Sequence, residues 1–192
     1  MLMNRDGEQR IYVQMAPDDQ SAAALGRIGP TLPNQLLGRL VPQRELHMSL
    51  IHFGKTADVL ATIRQVVQIA DGEYKAHVAA YITATQELLS DTDYHLTSRG
   101  YDRFGVHNTV LAARYEAPAE LKEVHHKAYT ELIRFLGACG IENAQRFAET
   151  DRNFMHARTF TPHITLYKGY NGPLPYGPPP PDVTARFMKL VY

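Results

Sequence analysis

The sequence predicts an α+β protein of two pseudo-symmetric lobes, each an antiparallel sheet with outer helices, facing one another across a cleft. Three observations carry that expectation. Two short stretches, Leu46-His47-Met48-Ser49-Leu50 and Pro162-His163-Ile164-Thr165-Leu166, share the pattern histidine, apolar, hydroxyl, apolar. Each is flanked by alternating strand-like residues and by helical patterns, so the two halves carry similar element orders. The 192 residues are 44 % hydrophobic, enough to bury a core as a single bilobal domain spanning 1–192.

Taken in order, residues 1–9 read as a flexible tail. Residues 10–16 alternate Ile11, Val13 and Met15 against Tyr12 and Gln14, a half-buried strand. Pro17 with Asp18 and Asp19 then opens a helix to about residue 27. Residues 29–43 contain three prolines, Pro30, Pro33 and Pro42, and read as loop with one short helical turn. A strand over 45–53 holds the first motif and places Phe53 on the face of His47 and Ser49, where packing is the simpler role. Thr56 is the expected N-cap of a helix to about residue 70, with Leu60, Ile63, Val67 and Ala70 as its apolar stripe.

Residues 75–85 alternate Ala76, Val78, Ala80 and Ile82 against His77, Ala79, Tyr81 and Thr83, which predicts a strand paired with another over 107–114. The polar stretch 86–106 between them, with Gly100 and Gly105, reads as a loop insertion covering the substrate. Pro118 opens the longest helix, to about residue 136, ended by Gly137 and Gly140. Strands follow over 154–158, 162–168 and 183–191, with a Pro/Gly-rich loop at 170–181.

The two motifs carry the chemistry. On a strand, residues two apart share a face, so each motif sets an imidazole beside a hydroxyl and buries the apolar residues behind them. Two such strands facing each other place two imidazoles and two hydroxyls around one small anion. That suits phosphoryl transfer: one histidine accepts a proton, the other donates one, and Ser49 and Thr165 bind the phosphoryl oxygens. A single match is commonplace. Two, each followed by a glycine (Gly54, Gly169), are not.

Other signals are weaker. His125 and His126 are adjacent on a helix and point about 100° apart, so they cannot share a ligand face. His77 and His156 are within reach of a supplementary role only if the fold brings them to the cleft. Tyr12 and Tyr167 fall on the cleft side by strand phase, where an aromatic could stack on a base. Balanced charge, 20 basic against 20 acidic residues, argues against a duplex-coating protein but not against one terminal nucleotide. The single cysteine, Cys139, excludes a disulfide framework or a thiolate zinc site within one chain. No Gly-rich phosphate loop with Lys-Ser/Thr, Gly-x-Ser-x-Gly or His-Glu-x-x-His is present. The carboxylates are scattered, so no metal and no cofactor are expected. With no signal-like start and no membrane-length apolar run, a cytoplasmic, monomeric protein is expected.

At Gln9-Arg10-Ile11-Tyr12-Val13, Glu45 to Leu50 and Phe160 to Leu166, the chain resembles the two-histidine (2H) phosphoesterase superfamily. Within it, the resemblance is to the LigT-like RNA 2′,3′-cyclic phosphodiesterases, also called 2′-5′ RNA ligases, over nearly the whole chain. Ser49 stands where threonine is usual, and Lys168 where arginine is common after the second motif. The resemblance implies a metal-independent hydrolase with His47 and His163 as catalytic pair, His163 as base and His47 as acid. Its substrate would be a nucleotide or RNA terminus with a 2′,3′-cyclic phosphate, opened to a 2′-phosphate, with Tyr12, Tyr167 and Lys168 near it. The alternatives are a 2′-5′ or 3′-5′ phosphodiesterase on a short oligonucleotide or cyclic-oligonucleotide signal, and a non-catalytic RNA-end binder.

Overall fold

The computed structural model describes residues 10–31, 38–89, 91–105, 107–154 and 156–188. Its elements are β1 (Arg10–Pro17), α1 (Asp19–Gly26), β2 (Arg39–Leu40), β3 (Met48–Lys55), α2 (Thr56–Ile63), α3 (Asp71–Leu88), β4 (Tyr94–Phe104), β5 (Val110–Glu116), α4 (Ala119–Ala138), α5 (Ala144–Thr150), β6 (His163–Lys168) and β7 (Val183–Phe187). The strands form one antiparallel sheet in the order β2-β6-β5-β4-β7-β1-β3. The architecture is α+β, as the sequence predicts.

The strand order reads nearly the same from either end. From the β4–β7 pair outward, β5 and β6 on one side match β1 and β3 on the other, with β2 added at the β6 edge. Each motif strand therefore lies outermost, or next to outermost, in its half. Although β3 and β6 are far apart in the ladder, they touch. The two halves of the sheet are thus turned toward each other, and the motif strands meet across the turn.

Behind them lies the core. Met48, Leu50, Ile164 and Leu166 are all buried, at 0–4 % exposure. At its centre Phe53 packs against Tyr81, Phe135 and Phe154, with ring centroids 5.3–5.7 Å apart. Burying one such ring stabilises the fold by roughly 2–3 kcal/mol. The α4 helix contributes Leu121, His125, Ala128, Leu132 and Phe135 at alternating spacings of four and three, the stripe a core-facing helix needs. Its last turn closes at Gly140, whose φ of 92° lies in the left-handed region, and Ile141 N–H donates to the Leu136 carbonyl.

Several sequence expectations are corrected. Residues 75–85 are not a strand but the middle of α3. Four of the eleven residues are alanines, which favour helix, and the buried set Tyr74, Tyr81, Ile82 and Thr85 has helical spacing. The stretch 86–106 is not a loop insertion: its first residues finish α3, and Tyr94–Phe104 is the longest strand. Tyr94 and Leu96 at its start are buried, but from residue 97 on its side chains are exposed or half-buried, and β7 and β5 satisfy its backbone. Gly100, with φ of 89°, lies where the register slips between Ser98 and Tyr101. Residues 154 and 156–158 form turns and bends rather than a strand, and α5 was not anticipated. The helix from Thr56 ends at Ile63, and Lys55 rather than Thr56 is its N-cap residue. The partners of β5 are β4 and β6, and the short β2 lies inside a stretch read as loop. The expected tail 1–9 and the end of the last strand beyond residue 188 lie outside the described residues.

Phe53 also changes face. Gln14 pairs with Ser49 but Val13 pairs with Ile51, so β3 has one extra residue at Leu50. A single inserted residue inverts the phase of everything after it. Leu50 and Ile51 are consequently both buried, Phe53 turns into the core, and His52, opposite Tyr12, falls on the side of Ser49.

Candidate active site

His47 lies just before β3, at the end of a short 3-10 turn, Gln43–Glu45. Its Nδ1 is 2.8 Å from the carbonyl oxygen of Glu45, two residues upstream. His163 opens β6, and its Nδ1 is 2.8 Å from the carbonyl oxygen of Thr161, also two residues upstream. A carbonyl only accepts, so in both rings Nδ1 carries the hydrogen and donates it. Neither Nε2 makes a hydrogen bond among the described residues, so each has a lone pair open to a proton. The two halves of the molecule present the same histidine in the same tautomer.

The surroundings differ. Phe104 of β4 stacks on His163 with centroids 4.2 Å apart and planes 17° from parallel. Burial holds the His163 imidazole below its ordinary pKa against the opposing hydrogen bond to Thr161. The charges of His47 and Arg114 push it the same way, while Asp102 pulls it up. The two rings belong to one region because β3, which follows His47, touches β6, which begins at His163. Arg114 is the direct cross-strand partner of His163 and is itself ion-paired to Asp102 at 2.9 Å.

His47 and Thr165 line one cavity of about 340 Å³, together with Gln14, Arg44, Glu45 and Lys168. Ser49 is the cross-strand partner of Gln14, which puts its hydroxyl on the same face. The cavity joins elements that are remote in the chain. Val41 N–H donates to the Leu166 carbonyl, tying the segment before His47 to the edge of β6. Among the described residues, no group of three or more His, Cys, Asp and Glu side chains is gathered as a metal-ligand set, and no helix is long and apolar enough to cross a membrane.

The remaining candidates divide. Lys168 reaches the cavity. Tyr167 does not present its ring there: it is 2 % exposed, lies edge-on to Tyr170, and donates its hydroxyl to the Gly38 carbonyl. The segment carrying β2 covers it, so the stacking role expected from strand phase gives way to packing. The backbone of Tyr12 lies in β1, but its side chain lies outside the described residues. His77 is on α3 beside Glu73, and His156 is exposed in a turn. His125 is buried, stacked on Phe160, with Nε2 donating to the Ala157 carbonyl at 2.9 Å. It braces the segment that leads into the second motif.

Sequence reasoning missed Phe104, Arg114 and Arg44. The first lay in a stretch read as loop, and the second gains its meaning only from register with His163. Arg44 stands three residues before His47 and carried no pattern of its own. A more apolar cavity of about 360 Å³, lined by Leu60, Tyr74, Val78 and Ile82 among others, contains no residue of either motif.

No family model matches the chain, and no curated protein matches it. Solved structures do. TT0787 of Thermus thermophilus is 19 % identical, matched over 95 % of this chain and 82 % of its own, with a TM-score of 0.53. A protein described as a phosphoesterase is 15 % identical over 95 % of this chain and 97 % of its own, with a TM-score of 0.56. At such identities the likeness is one of fold, and it extends over nearly the whole chain.

Proposed function

We propose that this protein is a metal-independent phosphodiesterase that opens a nucleotide or RNA 2′,3′-cyclic phosphate to a 2′-phosphate. The observation that carries the proposal is the matched pair of histidines: same tautomer, same backbone tether, both Nε2 atoms free, and a hydroxyl residue two positions on from each. The fold it shares with a protein described as a phosphoesterase supports the same class of chemistry.

His163 is the base. Its burial against Phe104 and the charges of His47 and Arg114 favour the neutral ring, whose Nε2 lone pair takes a proton from the attacking water. His47 is the acid. Its protonated Nε2 donates to the 3′ oxygen as the bond from phosphorus to that oxygen breaks. The water oxygen stays on phosphorus, the 2′ ester bond is kept, and the pair ends with its protonation states exchanged. Ser49 and Thr165 donate to the non-bridging oxygens, while Lys168 and Arg44, lining the cavity, offset the phosphate charge.

The test is to incubate the protein with 2′,3′-cyclic nucleotides, 2′-5′ dinucleotides and cyclic dinucleotides and to separate the products by chromatography. The proposal expects 2′-phosphates from the first group. Cleavage confined to the dinucleotides would move the substrate to an oligonucleotide linkage. Tight binding of an RNA end with no turnover of any substrate would make this a binding protein.

A further inference from the structure

A second cavity, of about 390 Å³, lies farther along the sheet face that carries His163. Arg99, Arg114 and Lys122 line it, with Glu116, Tyr115 and Pro162. Its position follows from register. On β5, Ala112 pairs with Thr165 and Arg114 with His163, and Glu116 comes two residues later on the same face. Four residues of strand separate the level of Thr165 from that of Glu116, about 14 Å. His163 therefore stands between two cavities, one holding His47, Thr165 and Lys168, the other lined by Arg99, Arg114 and Lys122, whose ion-pair partners are the two carboxylates Glu116 and Asp102.

The cations are already paired: Arg99 and Lys122 to Glu116, Arg114 to Asp102. All of these side chains are well exposed, between 39 % and 58 %. Exposed ion pairs are weak in water and open readily to a competing anion. Two cations share one carboxylate at Glu116, so the cluster keeps excess positive charge. The whole chain has no net charge, which makes this excess beside the histidines a local feature.

We propose that this cavity is a phosphate subsite for the backbone of a single-stranded oligoribonucleotide whose cyclic end lies between the histidines. The proposal rests on the hydrolytic reading above and extends it. The preferred substrate is an RNA terminus rather than a free cyclic mononucleotide. The terminal phosphate sits at His47 and His163, and the adjoining phosphodiester reaches Arg99 and Lys122. Glu116 holds these two cations in place when no strand is bound and gives way to phosphate when one is.

The experiment compares kcat/KM for a 2′,3′-cyclic mononucleotide with that for a tetraribonucleotide ending in the same cyclic phosphate. The mononucleotide, too short to reach the second cavity, is the internal reference. In Arg99→Ala/Lys122→Ala, the ratio of tetranucleotide to mononucleotide kcat/KM should fall about tenfold. In Glu116→Gln, which frees both cations, that ratio should rise, whereas ion pairs serving only to stabilise the fold would leave it unchanged. A ratio unmoved in both variants overturns the subsite. Fluorescence anisotropy of a labelled tetranucleotide with a 3′-phosphate end separates the two readings. The double variant should bind it with a flatter dependence on salt, by about 0.7 in the log–log slope for each phosphate no longer neutralised. If the wild type cleaves neither substrate but this slope still changes, the hydrolytic reading fails and the subsite stands.

Discussion

Replacing His163 with alanine separates a proton-transfer role from a packing role, because the structure bounds both effects. The catalytic loss expected from removing a general base is about 10²–10⁴-fold, or roughly 3–5 kcal/mol of transition-state stabilisation. The structural loss is smaller. The imidazole makes one ring stack, on Phe104 at 4.2 Å, and one hydrogen bond, to the Thr161 carbonyl. Stacking contributes about 0.5–1.5 kcal/mol, and a chain of this size loses about 2–4 °C of melting temperature per kcal/mol. The variant should therefore melt a few degrees below the wild type and still be folded at 25 °C while turning over at least a hundred times more slowly. His47→Ala should show a similar loss of rate. On the proposed mechanism both rings serve one transition state, so the double variant should fall well short of the product of the two. The assay is initial-rate hydrolysis of a 2′,3′-cyclic nucleotide followed by chromatography, beside a thermal melt of each protein. Wild-type turnover in a folded His163→Ala protein would refute the mechanism.

Ser49→Ala and Thr165→Ala should each slow turnover by less than either histidine variant, up to about 10²-fold, because proton transfer survives the loss of one oxyanion donor; equal losses would make the hydroxyls more than oxyanion donors. Turnover should survive excess EDTA, and inactivation reversed by Mn²⁺ or Zn²⁺ would mean that the histidines are metal ligands. His125 and His163 both have imidazoles held below their ordinary pKa by burial. As pH falls below about 6.5, the unfolded chain takes up protons that these folded rings resist, so stability should decline in that window; a melting temperature flat from about pH 8 to 5.5 would contradict it. For the same reason the acid limb of kcat/KM should lie below pH ~6.5. Gly38→Ala would place a Cβ 2.3 Å from the Lys168 carbonyl oxygen and 2.6 Å from that of Gly169. Neither backbone atom can swing away, so the strand edge must move by about 1 Å, which can cost on the order of 10²-fold in rate without touching a motif residue; unchanged kinetics would show that the edge is not rigid.

Local pattern alone was enough for β1, α1, α4, the two motif strands and the last strand, because each has one face buried and the other open. In those elements periodicity reports the environment directly. Ile164 and Leu166 behind His163 and Thr165 are the clearest instance. The histidine and hydroxyl pairs were legible for the same reason: side chains two apart on a strand must share a face. Three things needed the tertiary structure. The alanine-rich stretch within α3 satisfies either period, and only its packing against Phe53 and Phe135 selects the helix. In β4 only Tyr94 and Leu96 are buried, too short an apolar alternation to set it apart from a loop, and its hydrogen bonds to β5 and β7 complete its place in the sheet. The neighbours of His163, Phe104 and Arg114, are set by the register of strands about fifty residues or more away in sequence. Nothing local encodes a register, because it is the outcome of packing the whole sheet at once. Residue type and spacing thus named the candidate groups, while the fold decided which of them is buried and what lies beside it.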